Sequence, residues 1–319
     1  MTVNTILLSI AAGVIAAVVF VSAATGGIFL RVLLFFLTPF TLYLAGLGFG
    51  PSGALIASAT ATLLIFGLGS SLIAFVFAAS SALPAIITTR LALLARGDGD
   101  TREWYPAGRI VAVAAIFGGG LAAFIIFSLG GNLDTLTKTL RGVVETFAKT
   151  EMPSMAGAPE ITPKLIDDMT ASVVQTLPWA LGILGTITIL LNLWLAGRVT
   201  LASGMLARPW PDVSALSVPR SAMLALAAAL AVSFAGGVPG LAASGFAGAF
   251  TFCFAATGLA LVHALTRGSA WRMFILSAVY SAVVFITIPA TIVLAIAGLI
   301  ETVFHYRAHS SGPPEAHKS

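Results

Sequence analysis

Along this chain, apolar residues run in long unbroken stretches, and polar residues gather in the breaks between them. The stretches lie near residues 5–24, 29–49, 52–68, 71–94, 108–130, 177–197, 220–236 and 239–266, with a longer one at 272–304. A helix needs about 20 apolar residues to cross the hydrocarbon, and only helices and closed barrels satisfy their backbone there. Because the hydrophobicity is continuous rather than alternating, it selects helices: the pattern predicts an all-α, polytopic transmembrane helix bundle of about eight to ten spans.

Two segments depart from that rhythm. In the 131–176 connection, Leu136, Leu140, Val143, Val144 and Phe147 fall on one helical face, with Asp134, Lys138, Arg141 and Glu145 elsewhere around it. After the Pro/Gly stretch MPSMAGAPEITP, a second amphipathic helix is predicted with Thr162 as N-cap and Pro163 in its first turn, running to Pro178. Such a pair either lies flat on a leaflet or covers an opening between spans. In the 272–304 segment, Pro289 either kinks one long helix or marks a turn between two short ones.

Composition fixes the solvent. Hydrophobic residues make up 58% of the chain and charged ones 9%, and no Asp or Glu precedes Asp98. No soluble fold of this size solvates itself so sparsely, so the lipid bilayer is the first partner the sequence implies. MTVNT carries no basic n-region, so residues 5–24 are read as a retained span rather than a cleaved leader. Arg96, Arg102 and Arg109, then Arg198, Arg208 and Arg220, then Arg267 and Arg272 crowd three short connections. The positive-inside rule puts these in the cytoplasm, with the N-terminus inside and the 131–176 connection outside. The expected organisation is one transmembrane domain over 1–305, with 131–176 as an insertion and a polar tail at 306–319. The C-terminus stays open: a single final helix would leave Arg307 and Lys318 outside.

Candidate chemistry is sparse. Gly48, Gly50 and Gly53 spell G-x-G-x-x-G, but a nucleotide site needs a preceding strand and an acid about 20 residues on. The next acid is Asp98, so these glycines and Pro51 are read as a close-packed helix connection, with no nucleotide at Gly48–Gly53. Ala12 and Ala16 form a small-xxx-small pair of the kind that packs helices or docks a partner. Intramembrane polar groups are the default functional candidates, which singles out Asn192 and Arg31 as ligand contacts, with snorkelling of Arg31 and helix packing by Asn192 as the structural alternatives. Glu301 and His305 share a helical face, yet two ligands make no metal site. Cys253 lies in an apolar stretch and has no second cysteine to pair with. The sequence contains no H-E-x-x-H, no C-x-x-C and no Walker A motif, so neither an enzyme, a cofactor, a metal nor a nucleic-acid partner is expected.

Several of these features occur together in one family. Pro39 ending an apolar run, the G-F-G-P-x-G connection, Leu83-Pro84-Ala85 before a basic loop, the segment around Pro178 and Asn192, and a closing GLIETVFHYR resemble the YybS-like family of bacterial membrane proteins of unknown function. That family is similar to the substrate-binding S components of energy-coupling-factor transporters. The resemblance implies uptake of a vitamin or other small molecule across the inner membrane, and a transmembrane coupling subunit with cytoplasmic ATPases as partner. It also implies that Ala12 and Ala16 face that subunit. The extra spans and the long outer connection depart from a six-helix S component, and a cell-envelope assembly or scaffold protein is the alternative reading.

Overall fold

The computed structural model describes residues 1–23, 27–68, 71–129, 132–154, 157 and 159–304. The chain is helical almost throughout, as its apolar stretches predict. Helix α1 (Val3–Ser22) is followed by α2 (Ile28–Leu37) and α3 (Phe40–Phe49), then α4 (Pro51–Gly67). Helices α5 (Ser71–Phe77) and α6 (Leu83–Ala92) are joined through a π-helical turn at Ala78–Ala82. A small antiparallel ribbon pairs β1 (Ala95–Arg96) with β2 (Glu103–Trp104). Then come α7 (Ala107–Leu129), α8 (Leu133–Thr150), α9 (Pro163–Ala202), α10 (Ser221–Ser233), α11 (Gly237–Leu265), α12 (Arg272–Phe285) and α13 (Thr287–Phe304). Among the described residues, seven helical lengths are long and apolar enough to cross a membrane, α2–α3 and α5–α6 counting as one each; α4, α10 and α12 are apolar but shorter.

The 272–304 segment is two helices. Ile286 leaves the helical conformation (φ −124°, ψ 46°) and Pro289 falls in the first turn of α13, where its missing N–H costs nothing. Helix α12 buries none of its residues within the chain. The C-terminal tail, with His305 and Arg307, lies outside the described residues.

The second amphipathic helix of the 131–176 connection is not a separate element. It is the start of α9, whose 40 residues run straight through Pro178. At 1.5 Å per residue α9 is about 60 Å long, roughly twice the hydrocarbon thickness. Its polar first turns therefore continue the apolar span lengthwise. The apolar stripe of α8 is spent on this neighbour: Leu136 and Leu140 pack with Val174, and Val144 and Ala148 with Ile166. Arg141 of α8 donates to Glu145 at 3.0 Å and pairs with Asp167 of α9 at 2.5 Å. That part of the stripe faces the chain's own helices. Val143 and Phe147, on the flank of that stripe, stay exposed.

The chain forms two compact units. Of the described residues, the first comprises those within 1–114, 188–224 and 251–304; the second comprises those within 115–187 and 225–250. In the first, α1 packs on α3 and α4 with Gly13 at the crossing, where a Cβ would collide with the Ala57 carbonyl oxygen. Phe20 of α1 meets Phe77 edge to face, with ring centroids 5.1 Å apart. Gly258 of α11 and Gly298 of α13 face each other in the same way, each against the other helix's backbone. In the second unit, α7, α9 and α11 meet through Gly118, Gly182, Gly245 and Gly248, and a Cβ on Gly182 would overlap the Gly245 oxygen. Lipid gives helices no hydrophobic reason to associate, so this backbone approach, with its dispersion contacts, is what binds them.

Glycines off these crossings set the contrast. Gly182→Ala should destabilise the folded protein by about 1–3 kcal/mol in mixed-micelle unfolding, because the methyl has no room. Gly142→Ala, mid-helix in α8 with open space around it, should be neutral or stabilising by up to about 1 kcal/mol. Equal effects of the two substitutions would contradict the packing described.

Candidate functional site

The polar interior of the first unit begins where the second apolar length breaks. Helix α2 ends at Leu37, and the last four carbonyls of any helix lack partners inside it. Pro39 follows and has no N–H to offer. Side chains fill the gap: the Thr38 hydroxyl donates to the Leu34 oxygen at 2.8 Å, and Asn192 Nδ2 of α9 donates to the Phe36 oxygen at 2.7 Å. The same Nδ2 donates to the Thr188 oxygen at 2.7 Å. Both neighbours are carbonyl oxygens, so the amide is oriented by its contacts, since a flip would set oxygen against oxygen. Asn192 is 0% exposed, and its Oδ1 finds no donor among the described residues.

Two more polar groups in this unit are underused. Tyr43 of α3 is wholly buried, and its hydroxyl lies 3.5 Å from Thr88 Oγ1. Thr88 has a closer acceptor, the Pro84 carbonyl at 2.7 Å, so Tyr43 is only weakly held. Ser58 Oγ of α4 is buried without a partner among the described residues. Nearby on α6, Thr89 fits its hydroxyl against Gly46 of α3, where a Cβ would come within 2.7 Å of Thr89 Oγ1. The π-helical turn Ala78–Ala82 carries Ser80 and Ser81 just before Pro84, whose ring cannot donate to the backbone of that turn. A broken helix on α2–α3 and a π-turn on α5–α6 thus lie in the unit that holds these open acceptors.

The remaining sequence candidates fall elsewhere. Arg31 sits in the first turn of α2 and is exposed, so it lies outside this buried interior. Ala16 is 0% exposed, packed inside the chain's own bundle, and the half-buried Ala12 gives its carbonyl to the Thr41 hydroxyl at 2.9 Å. The G-x-G-x-x-G stretch is α3, one residue, α4. Gly50 alone makes the turn, at φ +85°, and Pro51 opens α4. Gly53 allows α4 to approach the Ala45 oxygen, where a Cβ would come within 2.6 Å; Gly48 faces the flexible end of Met205 and, farther off, the Thr200 methyl. Helix, not strand, precedes the motif. Glu301 is buried on α13. Sequence reasoning singled out Asn192 and passed over Tyr43 and Ser58, which have no signal of their own in an apolar chain rich in Ser and Thr.

The connections beyond the spans are braced by charge. Arg208, its charge disfavoured by partial burial, donates to the Ala92 oxygen at the end of α6 at 3.3 Å. Asp212 accepts from Ser214 and takes two bonds from Arg267, at 2.8 and 2.7 Å, and these donors hold its carboxyl below the usual range.

If Asn192 caps the broken end of α2, its loss and the repair of the break should not add. Asn192→Leu should cost about 1–2 kcal/mol in mixed-micelle unfolding. In a Pro39→Ala background, where the helix can close its own bonds, that cost should shrink by at least half. Strict additivity across the double-mutant cycle would overturn the capping role.

No curated protein and no solved structure matches the chain. One family does, described as a predicted membrane protein (DUF2232), over residues 14–302, from within α1 to within α13. The matched residues lie in both units and include Asn192. The chain belongs to the DUF2232 family of membrane proteins.

Proposed function

We propose that this protein is the substrate-binding subunit of a small-molecule uptake system in the bacterial inner membrane, similar to an S component, and is not itself an enzyme. One observation carries the reading: a wholly buried Asn192 spends both donor contacts on carbonyls while its own carbonyl stays open. A buried polar atom left unpaired costs about 1–3 kcal/mol, and such groups persist where a ligand can complete them. The helix interruptions support it, because transporters commonly build substrate sites from broken helices that leave polar backbone and side chains facing a cavity. Asn192 Oδ1 would then take a donor of a small polar ligand. Energy would come from a coupling subunit and its cytoplasmic ATPases, since the chain carries no nucleotide motif. With Ala16 buried, that partner would dock on the exposed residues of α1, such as Leu7, Val14 and Val18, rather than on Ala12 and Ala16.

The scaffold reading draws on a different feature, the α8–α9 pair with Val143 and Phe147 exposed beside its own packing. It places the partner at the 131–176 connection and needs no ligand.

Protein solubilised from its own membrane should carry a co-purifying small molecule in native mass spectrometry, together with a coupling subunit and ATPases. Asn192→Ser should release the small molecule while the melting curve stays cooperative. Ligand-free protein recovered only with envelope-assembly proteins, in an association that Phe147→Ser abolishes, would favour the scaffold instead.

A further inference from the structure

Between the end of α6 and the start of α7, the β1–β2 ribbon folds over a groove of about 360 Å³. Its lining combines Arg96, Glu103 and Arg109 with the rings of Trp104, Tyr105 and Pro106. Charge within it is unbalanced. Arg96 and Glu103 neutralise each other, with the Arg96 Nε donating to Glu103 Oε2 at 2.7 Å. Arg109 has no carboxylate partner among the described residues; its guanidinium lies 5.9 Å from the Tyr105 ring centre. Arg102 sits in the same way over Trp104, at 5.8 Å.

Arg109 is also in the first turn of α7, where the helix dipole is positive and a cation is disfavoured. An exposed arginine at that end, held over an aromatic ring beside a groove, is stabilised by an anion in front of it. The rings and Leu94, 47% exposed, add an apolar wall at the point where two spans leave the hydrocarbon. Tryptophan and tyrosine favour that depth because their rings are apolar on one side and polar on the other.

We infer that this groove binds the phosphodiester headgroup of an anionic phospholipid, with Arg109 as the main contact to phosphate and Arg102 adding attraction. The lipid is preferred over a free phosphate because the anion site and the apolar wall share one rim, at the adjoining ends of two helices apolar enough to span a membrane. Nothing in this inference depends on the transport reading. Its site lies on the connection, apart from Asn192.

The test uses the full chain purified in a neutral maltoside detergent, titrated with dioleoylphosphatidylglycerol, dioleoylphosphatidylcholine or inorganic phosphate, with bound lipid counted by native mass spectrometry and melting followed in parallel. Phosphatidylglycerol should bind more tightly than phosphatidylcholine. Arg109→Gln should weaken its binding about fivefold and Arg102→Gln less, given the contribution of one cation near an anionic surface. Arg141→Gln, in α8, should leave binding unchanged. The inference is overturned by phosphatidylglycerol binding that Arg109→Gln and Arg102→Gln both leave unaltered. It is equally overturned if inorganic phosphate stabilises the protein as much as the lipid does.

Discussion

A backbone carbonyl in hydrocarbon has no water to turn to, and leaving it unpaired costs several kcal/mol. In this chain that cost falls at the break between α2 and α3. Proline stops the helix, and the Thr38 hydroxyl and the Asn192 amide take the carbonyls that the broken end exposes. The rest of the first unit follows from this repair. Asn192 must be buried to reach Phe36, α9 must pass beside α2, and an acceptor remains open in the interior as a consequence.

The second constraint is how helices hold together when lipid is as apolar as their side chains. Glycine answers it at several crossings among the described residues. Gly13 against Ala57, Gly182 against Gly245 and Gly258 against Gly298 bring backbones to distances that a methyl group would forbid. Elsewhere the chain uses ordinary water-facing physics. The apolar stripe of α8 packs against the start of α9, with Arg141 bridging to Asp167 across the pair. One helix, α9, therefore serves both solvents, with polar first turns and an apolar remainder.

The spans were legible because apolar continuity over membrane length has few other causes. At Gly48–Gly53 the surroundings of a motif decide its meaning, and here helices flank a single left-handed glycine. Harder to read was the fate of amphipathic stretches: the periodicity of residues 165–174 marks a buried face but not what buries it, and Pro178 looked like an end when α9 continues through it. The small-residue pair Ala12 and Ala16 had the same weakness, because alanine spacing predicts contact without naming the partner, and Ala16 faces its own chain. Of the polar interior, Asn192 stood out by its cost in lipid. Tyr43 and Ser58 did not, because a hydroxyl in an apolar stretch carries no sign of whether the fold gives it a partner: Ser58 Oγ has none among the described residues, and Tyr43 has only the long contact to Thr88.

Everything in the first unit's interior turns on the Asn192 amide closing the broken end of α2 and so leaving its own oxygen available. Solid-state NMR on protein in lipid, with side-chain ¹⁵N asparagine and carbonyl ¹³C phenylalanine, measures that contact directly. A through-space cross-peak between an asparagine side-chain nitrogen and a phenylalanine carbonyl should appear, and it should vanish in Asn192→Leu. Its absence from the unsubstituted protein, or its persistence in the variant, would show that Asn192 does not cap α2.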